Sequence, residues 1–368
     1  MRYLFYVVNG IGIGHLCRML GVADAVKKLE PTSEILFISE VDDPQMLKEH
    51  GYAYFYVPPL HRLLEDSGYK NLPSDPLIAI RNSTIDSVIL NFQPNAIVHD
   101  TLTDSRIIKM GKVVGAKQVL ILRLHKDMST YISKNYDLLK DMSLIALPYQ
   151  NRDEVPLKLF SRLQEKLILV GPILRRSLSQ IDTTSTKNKY QINDSRFTIV
   201  ISNGGGSDLH GYLDSFWETI SHVFYHKDLQ NNGIDIIAIT GPLTSYTQVF
   251  KNNKIKIVQF EPKLIDLFAS SNLVIARGGF NTVLELAIVG VPSICIPAWR
   301  KSDNQDDRVV QASEKFPNIL NANLDPADIY QKILSISKSA KWRFQPQMDD
   351  PIENNKKYLA GLIIKQAT

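Results

Sequence analysis

The sequence predicts an α/β protein made of two doubly wound parallel-sheet domains facing a cleft. Short, β-rich apolar runs alternate with helical patterns along nearly the whole chain. The alternation starts twice, near residues 3 and 197, each time with an apolar run that feeds a glycine-rich turn. Between the two starts, residues 177–194 are polar and lose apolar periodicity, as a linker does. A length of 368 residues is too long for one ordinary domain and suits two. The expected boundaries are 1–176 for a first domain, 177–194 for the linker, 195–350 for a second domain and 351–368 for a closing helix.

Residues 3–8 are a short apolar run of the kind a buried parallel strand shows. Asn9-Gly10-Ile11-Gly12-Ile13-Gly14-His15 follows, and Leu16, Leu20, Ala23 and Val26 then recur at helical spacing. Residues 34–39 are the second strand. Residues 40–75 read as less regular, broken by Pro44, Pro58, Pro59, Pro73 and Pro76 and rich in aromatics (Tyr52, Tyr54, Phe55, Tyr56, Tyr69). Such long loops often carry substrate contacts. A helix is expected over 79–91 and a strand over 95–98, ending at His99-Asp100. A helix over 104–114 and strands over 118–122, 143–147 and 167–170 complete the half.

The second half restarts with a strand over 197–201 and the turn Ser202-Asn203-Gly204-Gly205-Gly206-Ser207, then a helix through Leu213, Phe216, Trp217, Ile220 and Val223. Strands are expected over 235–240 and 255–258, with a short helix over 264–269. The strand 272–276 runs into Arg277-Gly278-Gly279-Phe280-Asn281-Thr282, a helix over 282–289 carries Glu285, and Gly290-Val291-Pro292 stops it before a strand over 293–297. A polar loop over 299–308 precedes another helix. An amphipathic helix over 352–365 closes the chain, with Tyr358, Leu359, Leu362 and Ile363 on one face.

Apolar content of 44% and charged content of 22% are ordinary for a globular chain that needs no staples. A net charge of +4 is small for this length and gives no sign of nucleic-acid binding. It is compatible with anionic substrates and with weak attraction to an anionic membrane surface. Cys17 and Cys295 read as two thiols in apolar settings, and no zinc spacing is present. The N-terminal apolar run is too short for a secretion signal, and no stretch reaches the ~20 apolar residues of a membrane span. The expectation is a cytoplasmic protein with room for peripheral contact at the inner membrane face.

The turns carry the chemistry. At the first, His15 stands where a dinucleotide fingerprint needs its third glycine, and an imidazole obstructs the close helix–strand packing that glycine allows. This weighs against a nicotinamide or flavin site with Glu40 as the ribose acid. His15 then either projects toward substrate or merely caps its helix. Asp100 should reach the same sheet edge. There it either orients His15 and raises its basicity, or caps a helix. In the second half, Gly204, Gly205, Gly206 and Ser207 suit a backbone nest for phosphate, without the Lys-Ser/Thr of a Walker loop. Gly279, Asn281 and Thr282 open a helix whose free N–H groups favour an anion. Glu285, one turn further in, can accept both hydroxyls of a ribose. Together these residues describe a nucleoside diphosphate site. Asp306-Asp307 reads as solvated or helix-capping, so no metal is expected. The charge of a leaving diphosphate would fall to helix N-termini and Arg277.

The run Arg277-Gly278-Gly279-Phe280-Asn281-Thr282-Val283-Leu284-Glu285, with Gly290-Val291-Pro292, Pro297 and Asp303-Asn304-Gln305, resembles the donor-binding signature of GT-B glycosyltransferases. The likeness is to the UDP-glycosyltransferases and to the N-acetylglucosaminyltransferases that make lipid II. Gly10-x-Gly12-x-Gly14-His15-x-x-Arg18 is similar to the turn those families place on the acceptor side. The resemblance implies two Rossmann-like domains, a closing helix (351–368) that packs back on the first of them, and transfer, with inversion, from a nucleotide diphosphate sugar, UDP-linked, to a small-molecule or lipid-linked acceptor hydroxyl. It makes His15 the general base and Asp100 its orienting partner, with no cofactor beyond the co-substrate and no obligatory metal. Gly204 to Ser207, Asn281 and Thr282 would hold the diphosphate, Glu285 the ribose, and Asn304 and Gln305 the sugar hydroxyls. Arg277 stands where the plant-type motif has His, which favours the bacterial branch. UDP-sugar hydrolases share Gly12-x-Gly14-His15-x-x-Arg18 and are the alternative, with His15 activating water. A non-hydrolysing sugar-nucleotide epimerase and a catalytically silent binding protein stand further off.

Overall fold

The computed structural model describes residues 1–8, 13–41, 45–60, 63, 74–205, 212–226, 229, 233–241, 255–300, 303–338 and 351–368. The chain divides into two compact units. The first comprises Met1–Arg175 with Pro351–Thr368, and the second Arg176–Asp350.

The first unit holds a seven-stranded sheet of β1 (Arg2–Val7), β2 (Glu34–Ser39), β3 (Ala53–Tyr56), β4 (Ala96–Asp100), β5 (Lys117–Ile121), β6 (Leu144–Leu147) and β7 (Leu167–Leu169), in the order β3-β2-β1-β4-β5-β6-β7. Every pairing is parallel. A parallel sheet covered on both faces calls for continuous apolar runs, and β1 supplies one from Tyr3 to Val7. Strand order reverses between β1 and β4, with Tyr6 level with His99. The crevice of a doubly wound sheet lies at such a switch point, beyond the strands' C-terminal ends.

The second unit repeats the plan with β8 (Phe197–Ser202), β9 (Ile234–Ile239), β10 (Ile255–Val258), β11 (Leu273–Arg277), β12 (Ser293–Ile296) and β13 (Ile319–Asn321), in the order β10-β9-β8-β11-β12-β13. Alternate residues of each strand serve opposite cores. Ile199, Ile201, Leu273 and Ile275 join one cluster with Trp217 and Ile220, while Val200, Val274 and Ala276 join another with Leu286 and Val289. Here the order reverses between β8 and β11, with Ser202 level with Ala276. The two glycine-rich turns singled out in this half therefore leave neighbouring strands at one edge.

Two segments differ from expectation, and so does one side chain of the closing helix, Tyr358. The stretch after residue 40 is not wholly irregular: it contains the helix Gln45–Glu49 and the edge strand β3, where Tyr54, Phe55 and Tyr56 do what aromatics do well on a pleated surface. Residues 177–194 lie inside the second unit and carry the helix Thr183–Tyr190. Asp182 caps that helix by accepting from Ser185 N, and Tyr190 plugs into the second unit's core. The closing helix, Ile352–Ala367, packs on the first unit through Ile352, Lys356, Leu359, Ala360 and Ile363, while Tyr358 is 52% exposed. That packing is close. A Cβ on Gly21 would lie 3.3 Å from Lys356 Cδ, and Lys356 Nζ donates to Arg175 O at 3.0 Å.

Candidate active site

In the first unit the candidate residues sit on the helix Gly14–Leu29, which follows β1. His15 and Arg18 stand three residues apart on it and so share a face. Both point at Asp100, the last residue of β4, which is fully buried. Arg18 grips the carboxylate with two bonds, Nε to Oδ2 at 2.9 Å and Nη2 to Oδ1 at 3.1 Å. His15 Nδ1 lies 3.5 Å from Oδ2, an ion-pair distance longer than a good hydrogen bond. Burial alone would raise the Asp100 pKa. The charge of Arg18, then that of His15, outweighs burial and holds the carboxyl well below the usual carboxylate range. Nδ1 is thus the ring nitrogen turned toward Asp100. Gly10 and Gly12 of the same turn lie outside the described residues.

On the opposite face of β4, His99 Nε2 donates to Gln118 Oε1 at 2.8 Å, and burial pushes its pKa down to about 4. His99 is thus a neutral core histidine. Glu40 is equally engaged: Tyr6 Oη and Arg81 Nη2 both donate to its Oε1 at 2.7 Å, and Arg81 also pairs with Asp104 at 2.9 Å. A carboxylate occupied in this way has no call to hold a ribose. Arg18 and Arg81 were assigned no role from the sequence. The i, i+3 spacing of His15 and Arg18 was the available signal for the first; nothing local signals the second.

In the second unit the candidate residues lie where β8 and β11 end. Asn203 and Gly204 follow β8, and Gly204 has φ +74°, a left-handed conformation glycine takes freely. Gly205 is the last described residue of that turn; Gly206 and Ser207 lie outside the described residues. Arg277 ends β11, nearly buried, with its guanidinium 5.2 Å above the Phe216 ring. A Cβ on Gly278 would lie 2.3 Å from Val309 Cγ2, so only glycine fits the backbone there. Gly279 is the N-cap of the helix Phe280–Val289 and brings no capping side chain. Asn281, Thr282 and Glu285 are each partly exposed along the first turns of that helix.

Gln305 is buried beside the same turn, whereas Asn304 is half-exposed and faces its own helix. Gln305 Oε1 accepts from Ala298 N at 3.0 Å, and its Nε2 donates to Asp303 Oδ2 at 3.3 Å. Asn304 caps the helix Gln305–Lys315. Arg308 ties the loop back, bonding Asp303 Oδ2 at 3.1 Å and Gly278 O at 3.0 Å. Cys17 and Cys295 are free thiols, and burial pushes the Cys295 pKa up to about 12.

Comparison with known proteins fits this arrangement. Residues 205–361 match the glycosyltransferase family 28 C-terminal domain. The chain is 24% identical over 357 residues, 90% of each chain, to the UDP-N-acetylglucosamine–N-acetylmuramyl-(pentapeptide) pyrophosphoryl-undecaprenol N-acetylglucosamine transferase of Caldanaerobacter subterraneus subsp. tengcongensis. Among solved structures it is similar to the MurG of Acinetobacter baumannii, with a TM-score of 0.59 at 12% identity, covering 99% of this chain and 100% of that one. It is also similar to the UDP-GlcNAc 2-epimerase of Neisseria meningitidis bound to UDP-GlcNAc, with a TM-score of 0.69 at 12% identity and coverages of 99% and 100%. The fold is the GT-B fold of two Rossmann-like units. The chain is a glycosyltransferase, and the family 28 match covers most of its second unit and runs into the closing helix.

Proposed function

We propose that the chain moves a sugar, with inversion, from a UDP-sugar to an acceptor hydroxyl. The first unit provides the base and the acceptor side; the second provides the donor side. The observation that carries this reading is the buried Asp100 carboxylate facing His15 at the switch point of the first sheet. His15 Nε2 takes the proton of the acceptor hydroxyl as its oxygen attacks the anomeric carbon. The bond from that carbon to the diphosphate breaks, and its electron pair leaves with UDP. Arg277 and the N–H groups opening the helix Phe280–Val289 neutralise the departing diphosphate without an obligatory metal. Glu285 holds the ribose, and Gly204 to Ser207 with Asn281 and Thr282 hold the phosphates. The amides of Asn304 and Gln305 shape the sugar pocket by fixing its loop, and turn to the sugar's hydroxyls when donor binds.

The acceptor we propose is lipid-linked, as the names of the curated relatives state for those proteins. The first unit exposes Phe55, Tyr56, Leu60 and Ile80, and a groove of about 560 Å³ runs past Phe55, Thr84 and Val88. Among the described residues no helix is long and apolar enough to cross a membrane, so contact with the cytoplasmic membrane face would be peripheral.

The test is UDP release from UDP-N-acetylglucosamine, with and without undecaprenyl-pyrophosphoryl N-acetylmuramyl pentapeptide. Release that depends on the acceptor is expected; equal release in water alone would make the chain a hydrolase and end this reading. His15→Ala should lose about 10²–10⁴-fold in kcat with UDP binding retained, and Glu285→Ala should weaken UDP binding.

A further inference from the structure

Thr101, the residue after Asp100, has φ +61°. A β-branched residue rarely adopts that conformation, because its Cβ crowds the backbone. Leu102 N donates to Asp100 O at 2.6 Å, closing a three-residue turn around Thr101 of the rare, strained hand. Such a conformation persists only where the surroundings over-determine it. Here four hydrogen bonds do so: Thr101 N donates to Ile121 O at 2.7 Å, Thr101 O accepts from Tyr131 Oη at 2.7 Å, Thr101 Oγ1 accepts from Arg123 N at 3.4 Å, and Oγ1 donates to Asp100 Oδ1 at 2.9 Å.

The last bond distinguishes the two carboxylate oxygens. Oδ1 is taken by Arg18 Nη2 and the Thr101 hydroxyl, whereas Oδ2 is taken by Arg18 Nε and faces His15. A strand could end without such a turn. A turn that holds one carboxylate oxygen and aims the other has a use only if the aim matters.

We propose that Thr101 is a positioning residue for the transfer: its strained turn and its hydroxyl fix the rotation of the Asp100 carboxylate, so that Oδ2 receives His15 Nδ1–H. The proposal rests on the reading of His15 as the base. It acts through Asp100 and involves no contact between Thr101 and substrate.

The test compares three full-length variants. Thr101→Val keeps the branched shape and deletes the hydroxyl, Thr101→Ser keeps the hydroxyl, and Thr101→Gly removes the strain and the hydroxyl together. With UDP-N-acetylglucosamine and the lipid-linked pentapeptide as probes, Thr101→Val should lose about 10–100-fold in kcat with the donor KM within about twofold, the scale of a small misplacement. Thr101→Ser should stay within about threefold of wild type. Thr101→Gly should be slow yet melt at or above the wild-type temperature, since strain has been relieved. The second readout needs no acceptor. Ring-nitrogen chemical shifts of the neutral His15 should report Nδ1–H in wild type and Thr101→Ser, and lose that preference in Thr101→Val and Thr101→Gly. Unchanged His15 ring shifts in Thr101→Val, or kcat equal in Thr101→Val and Thr101→Ser, overturns the proposal. Wild-type turnover in His15→Ala overturns the base reading instead, and the ring shifts still decide the role of Thr101.

Discussion

A carboxylate sealed from water takes up a proton unless something holds its charge, and at Asp100 that something is Arg18. Removing Arg18 leaves an uncompensated buried charge. Arg18→Met should therefore destabilise the first unit by about 3–5 kcal/mol at neutral pH, measured by urea unfolding. The pH dependence has a definite sign. In the wild type the folded pKa of Asp100 lies below its unfolded value, so its stabilising contribution is present above about pH 4 and lost as pH falls through the folded value. In Arg18→Met burial dominates and raises the folded pKa, so that variant gains on acidification. The gap between the two should shrink as pH falls from the variant's raised folded value toward the wild type's lowered one; a gap constant from about pH 7 to about pH 3 would show that Asp100 is not the group involved. At this scale His15 and Asp100 were legible, because a turn and a strand end can be read from glycines and apolar runs. Thr101 was not: a positive φ on threonine is held by three tertiary hydrogen bonds, to Ile121, Arg123 and Tyr131, and no local pattern encodes it.

Packing of one element on another shows most clearly at Gly278. The helix Gln305–Lys315 presses Val309 against the turn after β11, and the contact leaves no room for a methyl group. Gly278→Ala should overpack the joint by about 1–3 kcal/mol and weaken UDP binding measured by calorimetry. Adding Val309→Ala should restore much of the loss, because the colliding atom is removed; if the double variant binds no better than Gly278→Ala, steric crowding is not the cause. Glycine followed by valine and proline did announce the end of the helix Phe280–Val289, where Gly290 takes φ +75°. The helix Thr183–Tyr190 announced nothing. Its residues are almost all polar, and it is held by an Asp182 cap and the single anchor Tyr190, too few apolar positions to make a period. The edge strand β3 was likewise masked by neighbouring prolines and by one-sided pairing, which tolerates polar and aromatic residues alike.

For the molecule as a whole, the chain enters its first unit twice. Residues from Pro351 onward return to the helix that carries His15 and Arg18, and Ile363 is fully buried there. Ile363→Ala should destabilise the first unit by about 2–5 kcal/mol while UDP affinity, a property of the second unit, stays within about twofold. A matching loss of UDP affinity would contradict that division. The two-unit plan was legible because the strand–turn–helix pattern restarts near Phe197, but the exact crossing was not. Nothing in composition marks Arg175 off from Arg176, and only contacts assign one to each unit.

That double entry also sets an order of events on the ribosome. The second unit is one continuous stretch, so it can complete itself as soon as its last strand and helix have emerged. The first unit must wait, with the outer side of its leading helix uncovered, for the final segment. At roughly 5–20 residues per second, the 175 residues of the intervening unit impose a delay of about 10–35 seconds. Until then the His15 helix lacks its cover, and a nascent chain halted short of Pro351 presents that bare apolar face to the chaperones.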